Sequence, residues 1–132
     1  MDFKAFSQRF SDKIGGEYND YDENKSIFII PLGSGRFQSV IAQVVDLEKY
    51  NRKAVQITSR VCETTAPINY PEILEASSAF AFTNFVVEDG YLQVDTSLFV
   101  DYTDDTLLEE AIREVAYRAD EWELKITGED NF

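Results

Sequence analysis

The chain opens on a helical rhythm: Phe3, Phe6, Phe10 and Ile14 recur at i, i+3, i+7 and i+11, and Gly15-Gly16 ends the run. That spacing predicts a first amphipathic helix with a narrow aromatic stripe, which must pack on its own sheet or on a second subunit. A polar stretch, Glu17 to Lys25, feeds the apolar run Ser26-Ile-Phe-Ile-Ile-Pro-Leu32. Its β-branched and aromatic content predicts a strand, and Pro31 places it at a strand end or edge. The turn Gly33-Ser-Gly-Arg36 leads into a second strand, Phe37 to Val45. A polar turn, Asp46 to Lys53, precedes a third strand, Ala54 to Cys62, in which Val55, Ile57, Ser59 and Val61 alternate with polar positions. Three strands with short links predict an antiparallel meander.

After the breaker Glu63 to Pro67, a short helix is expected, with Asn69 or Tyr70 as cap and Pro71 in its first turn. The chain then centres on a hairpin around Asp89-Gly90, which suits a two-residue type I′ turn. That turn sets Glu88 opposite Tyr91, Val87 opposite Leu92, Phe85 opposite Val94, Thr83 opposite Thr96 and Ala81 opposite Leu98. The last four of these pairs, from Val87 with Leu92 to Ala81 with Leu98, form an apolar wall. The other face receives Val86 with Gln93, Asn84 with Asp95, Phe82 with Ser97 and Phe80 with Phe99. A long helix follows, with a capping box at Thr106 to Glu109 or an earlier cap at Thr103. Its stripe of Leu108, Ala111 or Ile112, Val115, Ala119 and Trp122 matches the apolar wall, Gly128 stops it, and 128–132 are expected to fray.

The expected class is therefore α+β: one domain over 1–132, a five-stranded antiparallel sheet with helices packed mainly on one side, in the order α-β-β-β-α-β-β-α. A length of 132 residues suits one domain, and 44% hydrophobic residues suffice for a core. No apolar run approaches the ~20 residues of a membrane helix. The N-terminus, Met-Asp-Phe-Lys-Ala-Phe, lacks a signal-peptide layout, and a single cysteine fits a reducing compartment. The expected location is the cytoplasm.

A net charge of −13 opposes binding to nucleic acid and to anionic membranes, and favours basic partners. Without histidine, the commonest general base and the commonest zinc ligand are both missing. Cys62 has no activating partner in the pattern and reads as a buried small hydrophobe. Asp20-Tyr-Asp-Glu-Asn24 begins like a calcium loop but has Lys25 and Pro31 at the sixth and twelfth positions, where glycine and glutamate are required. Gly33-Ser-Gly-Arg36 lacks phosphate-loop spacing. The carboxylates Asp95, Asp101, Glu109 and Glu110 show no pattern that builds acid–base chemistry. No catalytic residue, cofactor site or metal site is expected, and the chain reads as a non-enzyme.

What remains is apolar surface. Large residues on both faces of the first strand, and on the second face of the hairpin, mark an interface. The candidate protein-binding residues are Phe28, Ile30, Phe80, Phe82, Val86 and Phe99.

The strand Val55 to Val61, the helix Pro71 to Ser77, the hairpin Phe85 to Val94 and the long helix from Thr106 together resemble the YbjN family and the wider type III secretion chaperone-like fold. The likeness extends over nearly the whole chain in layout. It implies a small acidic cytoplasmic protein, usually a homodimer, holding a partly unfolded client segment against apolar grooves as a chaperone or adaptor. The YbjN branch alternatively implies a regulatory protein that binds a specific folded partner.

Overall fold

A computed structural model describes the backbone of residues 1–15, 17–22 and 24–132, and the side chains of 1–15 and 24–132. Three helices lie on a sheet of antiparallel strands, so the fold is α+β. Helix α1 (Phe3–Ile14) starts where the Asp2 carboxylate accepts from the Ala5 amide, and ends at Gly15 with φ 65°. Strands β1 (Glu17–Asp22), β2 (Lys25–Pro31), β3 (Phe37–Leu47) and β4 (Arg52–Glu63) form a meander. Helix α2 (Tyr70–Ser77) follows, capped by Asn69. The hairpin β5 (Asn84–Glu88) and β6 (Tyr91–Phe99) leads to helix α3 (Asp105–Thr127).

All five expected strands are present in their expected order, and β1 precedes them. Across the sheet the order is β1-β2-β3-β4-β6-β5. The acidic segment Glu17 to Asp22, read from sequence as a polar link, pairs with β2 from Glu17↔Ile29 to Asp22↔Lys25. An edge strand tolerates polar composition because its exposure asks for little apolar surface.

The hairpin register is the expected one from Asn84↔Asp95 to Glu88↔Tyr91, with Asp89 at φ 52° and Gly90 at φ 81° supplying the two positive angles of the turn. Beyond Asn84 the expected pairs do not form. The amides of Ala81 and Phe82 donate to the Glu114 carboxylate on α3, at 3.1 and 2.8 Å, instead of entering a ladder. The cap of α3 also differs from expectation. Asp104 accepts from the Leu107 amide, whereas the Thr103 hydroxyl turns back to the Phe99 carbonyl.

One face of the sheet is the core. Phe28 and Ile30 of β2, Val40 and Ala42 of β3, Val55, Ile57 and Val61 of β4, and Leu92 and Val94 of β6 are buried there. Phe6 and Phe10 of α1, Ile73 of α2, and Leu108, Ile112, Val115 and Trp122 of α3 join the same cluster. All three helices thus cover one face. Burial of each large side chain contributes about 1.5–3 kcal/mol, so this stripe-on-wall contact is the main stabilising interaction. Ion pairs Arg9–Asp105 and Lys13–Glu109 tie α1 to α3.

Candidate functional site

The second face of the sheet carries no helix among the described residues. The registers lay out its rows. Lys25, Gln43, Gln56 and Ser97 form one row, and Ile27, Ile41, Thr58, Asp95 and Asn84 the next. Ile29 and Ser39 begin a third, which continues across β4 and β6 as Arg60, Gln93 and Val86. The β2–β3 side carries three isoleucines, Ile27, Ile29 and Ile41, among polar residues, and the side from β4 to β5 is mainly polar. A shallow depression of about 640 Å³ crosses the middle, floored by Ile41, Gln43, Gln56 and Thr58. Its charged lining, Lys25 and Arg60 against Glu88 and Asp89, sums to zero in a chain of net charge −13. Burial, then the neighbouring Glu88 charge, pushes the Asp95 carboxyl above its ordinary value.

At one end of this face β3 and β4 part. Their pairing begins only at Ile41↔Thr58, four residues into β3. Gln38 fills the gap from the core side: its Nε2 donates to Ser59 Oγ and to the Arg60 carbonyl, each at 2.8 Å. Ser59 Oγ in turn donates to the Ser39 carbonyl at 2.7 Å. From the open side, the Ser39 amide donates to the Phe132 carbonyl at 3.3 Å, and the Phe132 ring stands edge-on to Tyr91. The expected fraying of 128–132 is therefore replaced by docking. Asn131 and Phe132 form part of the wall of the depression.

The tail is held from behind by Arg36, in the β2–β3 turn. Arg36 Nε donates to Asp120 at 2.9 Å and Nη2 to the Glu129 carbonyl at 2.8 Å. Phe37 donates its amide to Asp130, and Asn131 its amide to Glu123 Oε2. The Glu123 carboxyl is pushed up by burial; the Asn131 amide and Arg36 oppose that shift, and Asp130 and Asp120 add to it.

The six candidate residues do not form one patch. Phe28 and Ile30 lie in the core, 0% and 2% exposed, because the even-numbered positions of β2 face the helices. The unbroken apolar run Ile27 to Ile30 hid that choice of face. Phe80 and Phe82 lie in the loop held by Glu114. Phe80 packs on Phe85 beneath the Arg118 guanidinium, and Phe82 leans on the core. Val86 and Phe99 do occupy the helix-free face, but at separate ends of it, and Phe99 is covered by Arg52 at 3.6 Å and by Tyr50. Buried residues Phe28 and Ile30 cannot supply contact area while the helix layer stays in place.

Cys62 is buried, its thiol pushed up by desolvation and then by Glu123. Of the separate carboxylates, Asp101 pairs with Arg52, and Glu109 with Lys13 and Arg113. Burial raises the Glu109 carboxyl, but hydrogen bonds from Lys13 and Arg113 prevail and hold it below its ordinary value. The side chains of the calcium-like stretch Asp20 to Glu23 lie outside the described residues. Ile41, Gln43, Gln56 and Thr58 were missed as candidates. Strict alternation in the third predicted strand was the signal for Gln56 and Thr58, since the residues between Val55, Ile57 and Ser59 must face away from the core; the second strand, where Ile41 and Gln43 lie, has no such alternation.

No protein-family model matches the chain, and no significant match to a curated protein was found. Among the described residues, no helix is long and apolar enough to cross a membrane.

Proposed function

We propose that this chain is a non-enzymatic protein-binding module, chaperone-like or adaptor-like, whose docking surface is the helix-free sheet face. The occupant is an extended partner segment of net basic charge. The observation that carries this reading is the depression floored by Ile41, Gln43, Gln56 and Thr58. Isoleucine supplies apolar contact, and the amides and hydroxyl supply hydrogen bonds to a polypeptide. The lining itself is charge-balanced, so the basic side chains of a bound segment find their partners in the acids outside the depression. The remaining surface carries the −13, which draws a basic segment in from a distance and repels acidic competitors. A likeness to the YbjN and secretion-chaperone layout is consistent with this role but does not carry it.

Fluorescence anisotropy with a labelled peptide of alternating lysine and leucine tests the reading. Saturable binding that weakens with salt is expected. Equal affinity for an alternating glutamate–leucine peptide overturns the basic-segment assignment, and a concentration-dependent doubling of mass without peptide assigns the face to a second copy instead.

A further inference from the structure

Behind the docked tail, three carboxylates converge from two separate parts of the chain: Asp120 and Glu123 from one edge of α3, and Asp130 from the tail. One oxygen from each lies within 4.8 Å of the other two. Glu123 is buried, Asp120 is half-buried and Asp130 lies on the exposed tail, their side chains being 0%, 15% and 27% exposed. Arg36 is the cation beside them, but its close hydrogen bonds go to Asp120 and to the Glu129 carbonyl. It reaches Asp130 only at 3.7 Å and Glu123 Oε1 only at 4.0 Å. Glu123 Oε1, fully buried and facing this cluster, has no hydrogen-bond partner. A buried carboxylate oxygen left in that state is costly. With all three ionised, the carboxylates also exceed the one guanidinium by two negative charges.

We propose that Asp120, Glu123 and Asp130 form a binding site for a divalent, oxygen-seeking cation of calcium size, and that this cation pins residues 128–132 to α3. Calcium binds oxygen at about 2.3–2.6 Å, so two ligand oxygens up to about 5 Å apart, or three equally spaced ones up to about 4.5 Å apart, share one ion, and the cluster needs at most a small contraction. Magnesium, at about 2.0–2.1 Å, requires the cluster to contract. A charge of two matches the excess on the three acids, and Glu123 Oε1 gains the partner it lacks. Arg36 keeps its bonds to Asp120 and Glu129. Because Asn131 and Phe132 wall the depression on the open face, a pinned tail also fixes that wall. The site stands independently of the protein-binding reading.

Terbium is the probe, since it occupies calcium sites and its emission is sensitised by a nearby indole. Trp122, the single tryptophan, precedes Glu123. Titration of the full chain is expected to give emission that saturates at one ion per chain and is displaced by calcium at about 1 mM or below, the weak end of protein calcium sites. Asp130→Asn sits on the exposed tail and is not expected to perturb folding. It should weaken binding at least tenfold, whereas Asp46→Asn, in an exposed pair with Lys53, should leave it unchanged. Calcium should also slow hydrogen exchange of the Ser39 amide, which bonds to the tail. Absence of saturable, calcium-displaced emission overturns the proposal. So does unchanged binding in Asp130→Asn, which assigns the ions to the acidic surface at large.

Discussion

Gln38 Nε2 lies 2.8 Å from Ser59 Oγ, bridging β3 and β4 where their backbones have separated. Both residues are buried on the core face, so the bridge replaces ladder hydrogen bonds with side-chain ones. Ser59→Ala removes the acceptor for Gln38 and the donor to the Ser39 carbonyl together. A loss of about 1–3 kcal/mol is expected, as for buried polar groups left unpaired. Urea denaturation checks it: the midpoint should fall with the m-value unchanged, because no extra surface is exposed.

Arg36→Ala removes the group that holds the tail through Glu129 and balances Asp120. The site is partly screened by solvent, so a loss of about 1–3 kcal/mol is expected rather than the full cost of breaking a deeply buried pair. Hydrogen exchange distinguishes a local from a global effect. The Ser39 and Asn131 amides should lose protection first, while those of β4 keep theirs.

Asp95 supplies a pH dependence of definite sign. Its carboxyl is raised in the folded protein by burial and by Glu88. The folded state therefore holds this proton more tightly than the unfolded chain does. Its contribution to stability is fully present below the unfolded value and is lost as pH rises through the folded value. Asp95→Asn should accordingly stabilise the protein at pH 7, with the gain vanishing below the ordinary carboxylate range. Denaturation midpoints of both proteins across that window measure it. A gain that persists in acid would attribute the effect to packing instead.

Much of the fold was legible because its signals are local. Asp89-Gly90 determined the hairpin turn and hence the pairs Val87↔Leu92 and Phe85↔Val94. Gly15 and Gly128 marked two helix ends, both in left-handed geometry. Strand β1 was not legible, since an edge strand can be as polar as a loop. The extension of the hairpin to Phe80 failed for a non-local reason: Glu114, more than thirty residues away, takes the amides that would have paired.

The site was less legible than the fold. An apolar run such as Ile27 to Ile30 shows burial but not which face is buried, so Phe28 and Ile30 were assigned to a surface they do not reach. Arg36 is brought to Asp120 and Glu123 only by the packing of the β2–β3 turn on α3, and Asp130 only by the docked tail. The spacing of Asp120 and Glu123, three apart on one helix, was the sole local signal, and exposed acidic pairs share it.

The helix-free sheet face is proposed as the dock for a basic partner segment. Comparing Ile41→Asn with Leu74→Asn in the lysine–leucine peptide titration tests it most directly. Ile41 lies in the floor of the depression, whereas Leu74 is an exposed apolar residue on α2, 67% accessible and outside the depression. The proposed role predicts about a tenfold weaker Kd for Ile41→Asn, equivalent to about 1.4 kcal/mol, with Leu74→Asn at the unsubstituted value. Unchanged binding in Ile41→Asn, or a loss confined to Leu74→Asn, would contradict it and move the docking surface to the helical side.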